Sequence, residues 1–140
     1  MEMLLTLFNS VVFISLALLH FYWAFGGTFG MHAVIPTDSS GGKLFMPGRM
    51  ATITVAIGLL AFAAINLGYA GWVEIGLERG IIRYAMWCII AIFTLRTIGD
   101  FRYVGFFKRR NGSTFAKMDT LYYSPLCLIL AITHILLIWL

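Results

Sequence analysis

Four long apolar runs alternate with shorter stretches that hold most of the charged residues, glycines and prolines. The runs cover about residues 3–25, 50–70, 81–98 and 120–140. About 20 residues of helix cross the roughly 30 Å hydrocarbon core of a bilayer. Only helices or closed barrels satisfy their backbone hydrogen bonds there. The pattern therefore predicts an all-α membrane protein, with residues 1–140 forming a single up-down bundle of four transmembrane helices.

Composition supports a membrane location. Apolar residues make up 61% of the chain and charged residues 11%, against about 45–50% and about 25% in soluble globular domains. A soluble domain of this length needs more polar surface than this sequence provides. Lipid is therefore the expected partner of the outer helix faces.

Charge distribution predicts an orientation. The chain has a formal net charge of +4 and ten basic residues. Five of these lie between the third and fourth runs: Arg102, Lys108, Arg109, Arg110 and Lys117. Loops rich in Lys and Arg stay cytoplasmic, so we expect the first and third loops inside the cell and both termini outside. A short basic loop without a binding motif does not indicate a nucleic-acid partner.

Most polar side chains of the spans gather at this cytoplasmic end. The up-down order brings together three sets, which are His20 and Trp23; Arg96 and Asp100; and Asp119, Tyr122 and Tyr123. His20 and Trp23 are three residues apart, and Arg96 and Asp100 four apart, so each pair shares a helix face. A histidine that titrates near neutrality beside carboxylates suits acid/base chemistry. An arginine suits a negative group.

We therefore predict a polar pocket with catalytic roles for His20, Asp100 and Asp119. The predicted ligand-binding residues are Trp23, Arg96, Tyr103, Tyr122 and Tyr123. The ligand class is a lipid or other small amphiphile, including anionic ones. No cofactor is predicted, and no metal site, since no Cys/His cluster has ligand spacing.

Structural roles compete with these functional ones. The aromatic residues fit an interfacial belt. Arg96 fits a snorkelling side chain with Asp100 as its partner, and Asp119 fits an N-cap of the fourth helix. Toward the opposite membrane face, Asn9, Asn66 and His134 are expected to form interhelical hydrogen bonds.

Three segments carry a family resemblance: His20-x-Tyr-Trp-Ala-x-Gly-Gly, Arg96-x-x-Gly-Asp-x-Arg-Tyr-Val-Gly-Phe-Phe-Lys, and Phe115-Ala-x-x-Asp-Thr-x-x-Tyr-Ser-Pro-Leu-Cys. They resemble a family of small bacterial four-helix integral membrane proteins catalogued as a domain of unknown function. The resemblance covers nearly the whole chain. It implies a multi-pass protein of the bacterial inner membrane and supplies no reaction.

Two other functional classes stay open. One is a small transporter or channel, for which a homodimer would form the pore. Against it, no charged residue lies at the middle of a span, where transport sites are expected. The other is a structural or assembly subunit of a membrane complex, recruiting a protein through its helix faces or its basic loop.

Overall fold

The computed structural model describes residues 1–38 and 40–140. Its helices are α1 (Glu2–Ala24), the short α2 (Met31–Val34), α3 (Arg49–Tyr69), α4 (Arg79–Ile98), α5 (Thr114–Met118) and α6 (Ser124–Trp139), with a π-helical segment (Asp119–Tyr123) joining α5 to α6. The described residues contain no strand, only an isolated bridge between Thr37 and Lys43. The all-α prediction is confirmed.

Four helical stretches are long and apolar enough to cross a membrane: α1, α3, α4 and the continuous run Thr114–Trp139. Contacts are most extensive between α1 and α3 and between α4 and α6, and smaller interfaces join α3 to α4 and α1 to α6. This is an up-down bundle of four helices, as predicted. We call the end that carries the first and third loops the third-loop end, and the opposite one the terminal end.

An aromatic cluster fills the centre of the bundle. The ring of Phe13 lies 5.8 Å from that of Phe62 and 5.6 Å from that of Phe93. Alanines 17 and 63 are almost completely buried in the same core, and small residues let membrane helices approach closely. Large apolar side chains such as Leu18 and Leu95 are exposed on the outer faces. Because water disfavours such faces, the protein belongs in a membrane.

The fourth helical stretch begins earlier than the sequence predicts. Ser113 caps α5, its Oγ accepting a hydrogen bond from the backbone N–H of Ala116 at 3.0 Å. The predicted cap, Asp119, instead lies one and a half turns inside the helical run, so its N-cap role is wrong. The π-helical segment ends two residues before Pro125, which has no N–H to donate to the carbonyl of residue 121.

Asn9 and Asn66 form the interhelical hydrogen bonds that the sequence predicts. Asn66 Nδ2 donates to the backbone oxygen of Thr6 at 2.9 Å, and Asn9 Oδ1 accepts from Thr133 Oγ1 at 2.7 Å. His134 does not follow the prediction. Its Nδ1 lies 2.7 Å from the backbone oxygen of Leu130, one turn earlier in the same helix.

Candidate functional site

Asp119 is the centre of a buried ion cluster at the third-loop end. Its side chain is completely buried. Oδ1 accepts a hydrogen bond from Arg96 Nη2 at 2.7 Å. Oδ2 accepts from Lys108 Nζ at 3.1 Å and from the backbone N–H of Gly105 at 2.9 Å. A buried carboxylate needs such partners to remain ionised, so the cluster fixes the third loop to α4 and to the π-helical segment.

Lys108 is the member of this cluster that sequence reasoning missed. Its side chain is only 1% exposed, whereas the sequence counted it among the loop cations that mark topology. Besides Asp119, its ammonium donates to Gly105 O at 2.9 Å and to Thr120 Oγ1 at 2.6 Å. All three ammonium protons thus have acceptors. The two phenylalanines that precede Lys108, Phe106 and Phe107, were the one sequence feature indicating that this part of the loop packs against other groups.

Asp100 organises the start of the third loop. Its Oδ1 accepts hydrogen bonds from the backbone N–H groups of Arg102, Tyr103 and Val104 at 2.9, 2.7 and 2.9 Å. Partial burial raises its pKa, but these hydrogen bonds outweigh that effect and hold the pKa below its ordinary value. The predicted pairing of Arg96 with Asp100 is wrong, because Arg96 reaches Asp119 across the bundle.

Two glycines let the third loop fold back onto α4. Gly99 has φ +86°, and a Cβ there would overlap the backbone oxygen of Val104; a Cβ on Gly105 would overlap the backbone oxygen of Ile98. The Phe106 N–H donates to Thr97 O at 2.9 Å. This close backbone contact positions the N–H of Gly105 to donate its hydrogen bond to Asp119.

His20 and Trp23 form their hydrogen bonds outside the ion cluster. His20 Nδ1 is 2.7 Å from Leu16 O on its own helix, and its ring packs edge-on against that of Trp23, with centroids 5.2 Å apart. Trp23 Nε1 donates to Phe29 O at 2.8 Å in the first loop. Within the described residues, no hydrogen bond links His20 to a carboxylate.

The three predicted tyrosines take different positions. Tyr122 is 61% exposed. Tyr123 donates its hydroxyl to Ala33 O at 3.1 Å and so joins the last helical run to the first loop. Tyr103 stacks against two guanidinium groups, Arg102 at 5.2 Å and Arg110 at 5.7 Å from its ring centroid. Of the predicted site residues, only Arg96 and Asp119 form a direct ion pair.

A cavity of about 780 Å³ opens between the first and third loops. Its lining includes His32 and Asp38 from the first loop, and Tyr103, Arg110 and Phe115 from the third loop and α5. Hydrogen bonds from Ser40 and Gly42 lower the pKa of the Asp38 carboxyl, and the positive charge of Arg110 lowers it further. The cavity combines a cation, a carboxylate, an aromatic face and polar loop groups beside the membrane.

The fold and the site together define a class: a four-span helical membrane protein whose third loop is held against the bundle by a buried ion cluster. Within that class, the chain belongs to the family described as protein of unknown function (DUF3995), whose family model matches residues 13–134. The resemblance drawn from the sequence motifs is confirmed at the level of the family. No curated protein and no solved structure matches the chain.

Proposed function

We propose that this protein binds an anionic amphiphile, with its negative group in the cavity between the first and third loops. One observation carries the proposal: Arg110 lines this cavity and is held against Tyr103, which Arg102 also contacts. A guanidinium that is pre-positioned by stacking loses less freedom when it binds a phosphate or carboxylate. The neighbouring hydrocarbon supplies a place for an acyl chain.

The charge of the third loop favours an anionic ligand. Lys108, the one buried lysine, is paired with Asp119 in the ion cluster. The remaining basic residues of the loop are exposed: Arg102, Arg109, Arg110 and Lys117. Basic groups beside a membrane attract anionic headgroups, each contributing about 1 kcal/mol near the surface.

Exposed aromatic side chains support a position of the same loop at the level of the headgroups. Phe101, Phe106 and Phe107 are 57%, 41% and 63% exposed, and the rings of Phe101 and Phe107 lie 6.3 Å apart. Aromatic side chains next to arginines are typical of segments that enter the membrane interface. An amphiphile in this region would contact arginine at its polar end and phenylalanine along its chain.

The proposal is for binding, without acid/base chemistry. Both oxygens of Asp119 are paired with cations. Asp100 accepts hydrogen bonds from the backbone N–H groups of the loop. His20 is bonded to its own helix. None of the three lines the cavity.

We further propose that the third-loop end faces the cytoplasm of a bacterial cell, with the protein in the inner membrane. The four exposed basic residues of the third loop support this orientation. In intact cells, a cysteine replacing Arg109 should be protected from an impermeant thiol reagent. Rapid labelling from outside would contradict the orientation.

The binding proposal is tested by comparing two adjacent arginines. Arg110 lines the cavity, whereas Arg109, which is also exposed, does not. We expect Arg110→Gln to weaken binding of short-chain phosphatidylglycerol about tenfold, since a hydrogen bond to a charged group contributes about 1.5–3 kcal/mol. Calorimetry on purified protein in a neutral detergent gives the dissociation constants.

Arg109→Gln is the matched control and should change affinity less than about twofold, because it removes only a screened surface charge. Short-chain phosphatidylcholine should bind weakly to all three proteins. Equal losses in the two variants would show a diffuse charge effect and contradict a specific site.

A further inference from the structure

A buried polar layer crosses the bundle on the terminal side of the aromatic cluster. Its members come from three helices: Thr6, Asn9 and Ser10 of α1, Asn66 of α3, and Thr133 and His134 of α6. All are at least nine-tenths buried. Polar groups at this depth of a membrane protein are unfavourable unless they are hydrogen-bonded.

Several atoms of the layer have no hydrogen-bond partner among the residues that the structure describes: Thr6 Oγ1, Asn9 Nδ2, Asn66 Oδ1 and His134 Nε2. The layer therefore offers donors and acceptors from facing helices. Since Nδ1 of His134 lies 2.7 Å from a carbonyl oxygen, which can only accept, Nδ1 carries a proton. In the neutral ring, Nε2 is then a free acceptor.

The layer borders a second cavity, of about 490 Å³, at the terminal end. Glu2, Arg79 and Arg83 line this cavity together with Thr6 and Leu137. Thr6 belongs both to the cavity lining and to the polar layer, and its backbone oxygen accepts the hydrogen bond from Asn66. Leu137 lies one turn beyond the pair Thr133–His134 on α6. The cavity and the layer are therefore adjacent at Thr6, whose own side chain is completely buried.

The opposite side of the layer is closed by apolar packing. Phe13, which is completely buried, follows Asn9 by one turn and contacts the ring of His134, with centroids 5.4 Å apart. Phe62 and Phe93 pack around Phe13. No comparable polar set is found in this part of the described core, which consists of aromatic and aliphatic side chains.

We propose that the polar layer is a water-filled half-channel that opens only at the terminal end and gives His134 contact with the aqueous phase there. Water is the occupant because the unpaired groups include both donors and acceptors on three helices, and a water molecule bridges such groups with two to four hydrogen bonds. The aromatic cluster prevents passage to the third-loop end. The half-channel is independent of the proposed ligand site.

Paired cysteine substitutions test the water access. Ser10 faces the layer, whereas the adjacent Val11 is 54% exposed on the outer, lipid-facing side of α1. In a Cys88→Ala/Cys127→Ala background, a small impermeant methanethiosulfonate added at the terminal end should modify Ser10→Cys at least about tenfold faster than Val11→Cys, because the reactive thiolate forms only in contact with water. The same reagent added at the third-loop end should modify neither.

A second measurement does not depend on reagent size or on Ser10. In a His20→Gln/His32→Gln protein in lipid nanodiscs, nitrogen NMR should show magnetisation transfer from water to Nε2 of His134. Equal labelling of the two cysteines, labelling of Ser10→Cys from the third-loop end, or absence of the water transfer in folded protein would each overturn the half-channel.

Discussion

At the scale of single residues, Asp119 decides whether the third loop is held against the bundle. Asp119→Asn keeps the shape of the side chain but leaves two cations, Arg96 and Lys108, without their anion. Removing one partner of a buried ion pair costs about 3–5 kcal/mol. We expect a loss of stability in that range, measured by reversible unfolding in mixed micelles. The exposed Arg109→Gln should change stability by less than about 0.5 kcal/mol, and equal effects would contradict the buried cluster.

The sequence predicted this site in part. Up-down threading alone placed Arg96 and Asp119 at the same end of the bundle, and the two form an ion pair. Helix periodicity favoured Asp100 as the partner of Arg96, since the two are four residues apart. That interpretation failed because the helix ends at Ile98, so Asp100 turns toward its own loop. Pairing of residues 23 positions apart follows from tertiary contact, which local spacing does not encode.

At the scale of elements, the third loop depends on glycine where it meets the end of α4. Gly99 has φ +86° and ψ −167°, a region that is open almost only to glycine and costs other residues about 1–3 kcal/mol. Gly99→Ala would also force the backbone of Val104 away. We expect Gly99→Ala to lower stability by at least about 2 kcal/mol, measured by the same unfolding assay.

Gly112 offers the matched control within the same loop. A Cβ added there meets nothing within 4 Å, so Gly112→Ala should be close to neutral. If the two alanine variants unfolded alike, the tight contact between the loop and α4 would not exist in solution.

The start of the last helical run shows another limit of sequence reasoning. Hydropathy predicted a helix from residue 120, because Lys117 and Asp119 interrupt the apolar pattern. The structure continues the helix back to Thr114 through a π-helical segment. Both charged residues can be helical there, since Lys117 is exposed and Asp119 is neutralised by its partners. A single sequence reveals the proline that favours an irregular turn but not the ion cluster that supports it.

At the scale of the whole molecule, the fold was the most predictable feature. Each apolar run is about as long as a bilayer is thick. Because a bilayer interior holds no water, a run of that length satisfies its own backbone hydrogen bonds as a helix. Side-chain packing, in contrast, determined what the sequence did not predict: the burial of Lys108, the separation of His20 from the carboxylates, and the cavity formed jointly by the first and third loops.

The most direct test of the proposed function is an experimental map of the protein in nanodiscs that contain phosphatidylglycerol and phosphatidylcholine. The account predicts density for a headgroup in the cavity between the first and third loops, with a phosphate oxygen within about 3 Å of the Arg110 guanidinium. It also predicts that the acyl chains lie along the third-loop end of the bundle. A well-resolved map in which lipid headgroups avoid Arg110 and Tyr103 would contradict the account.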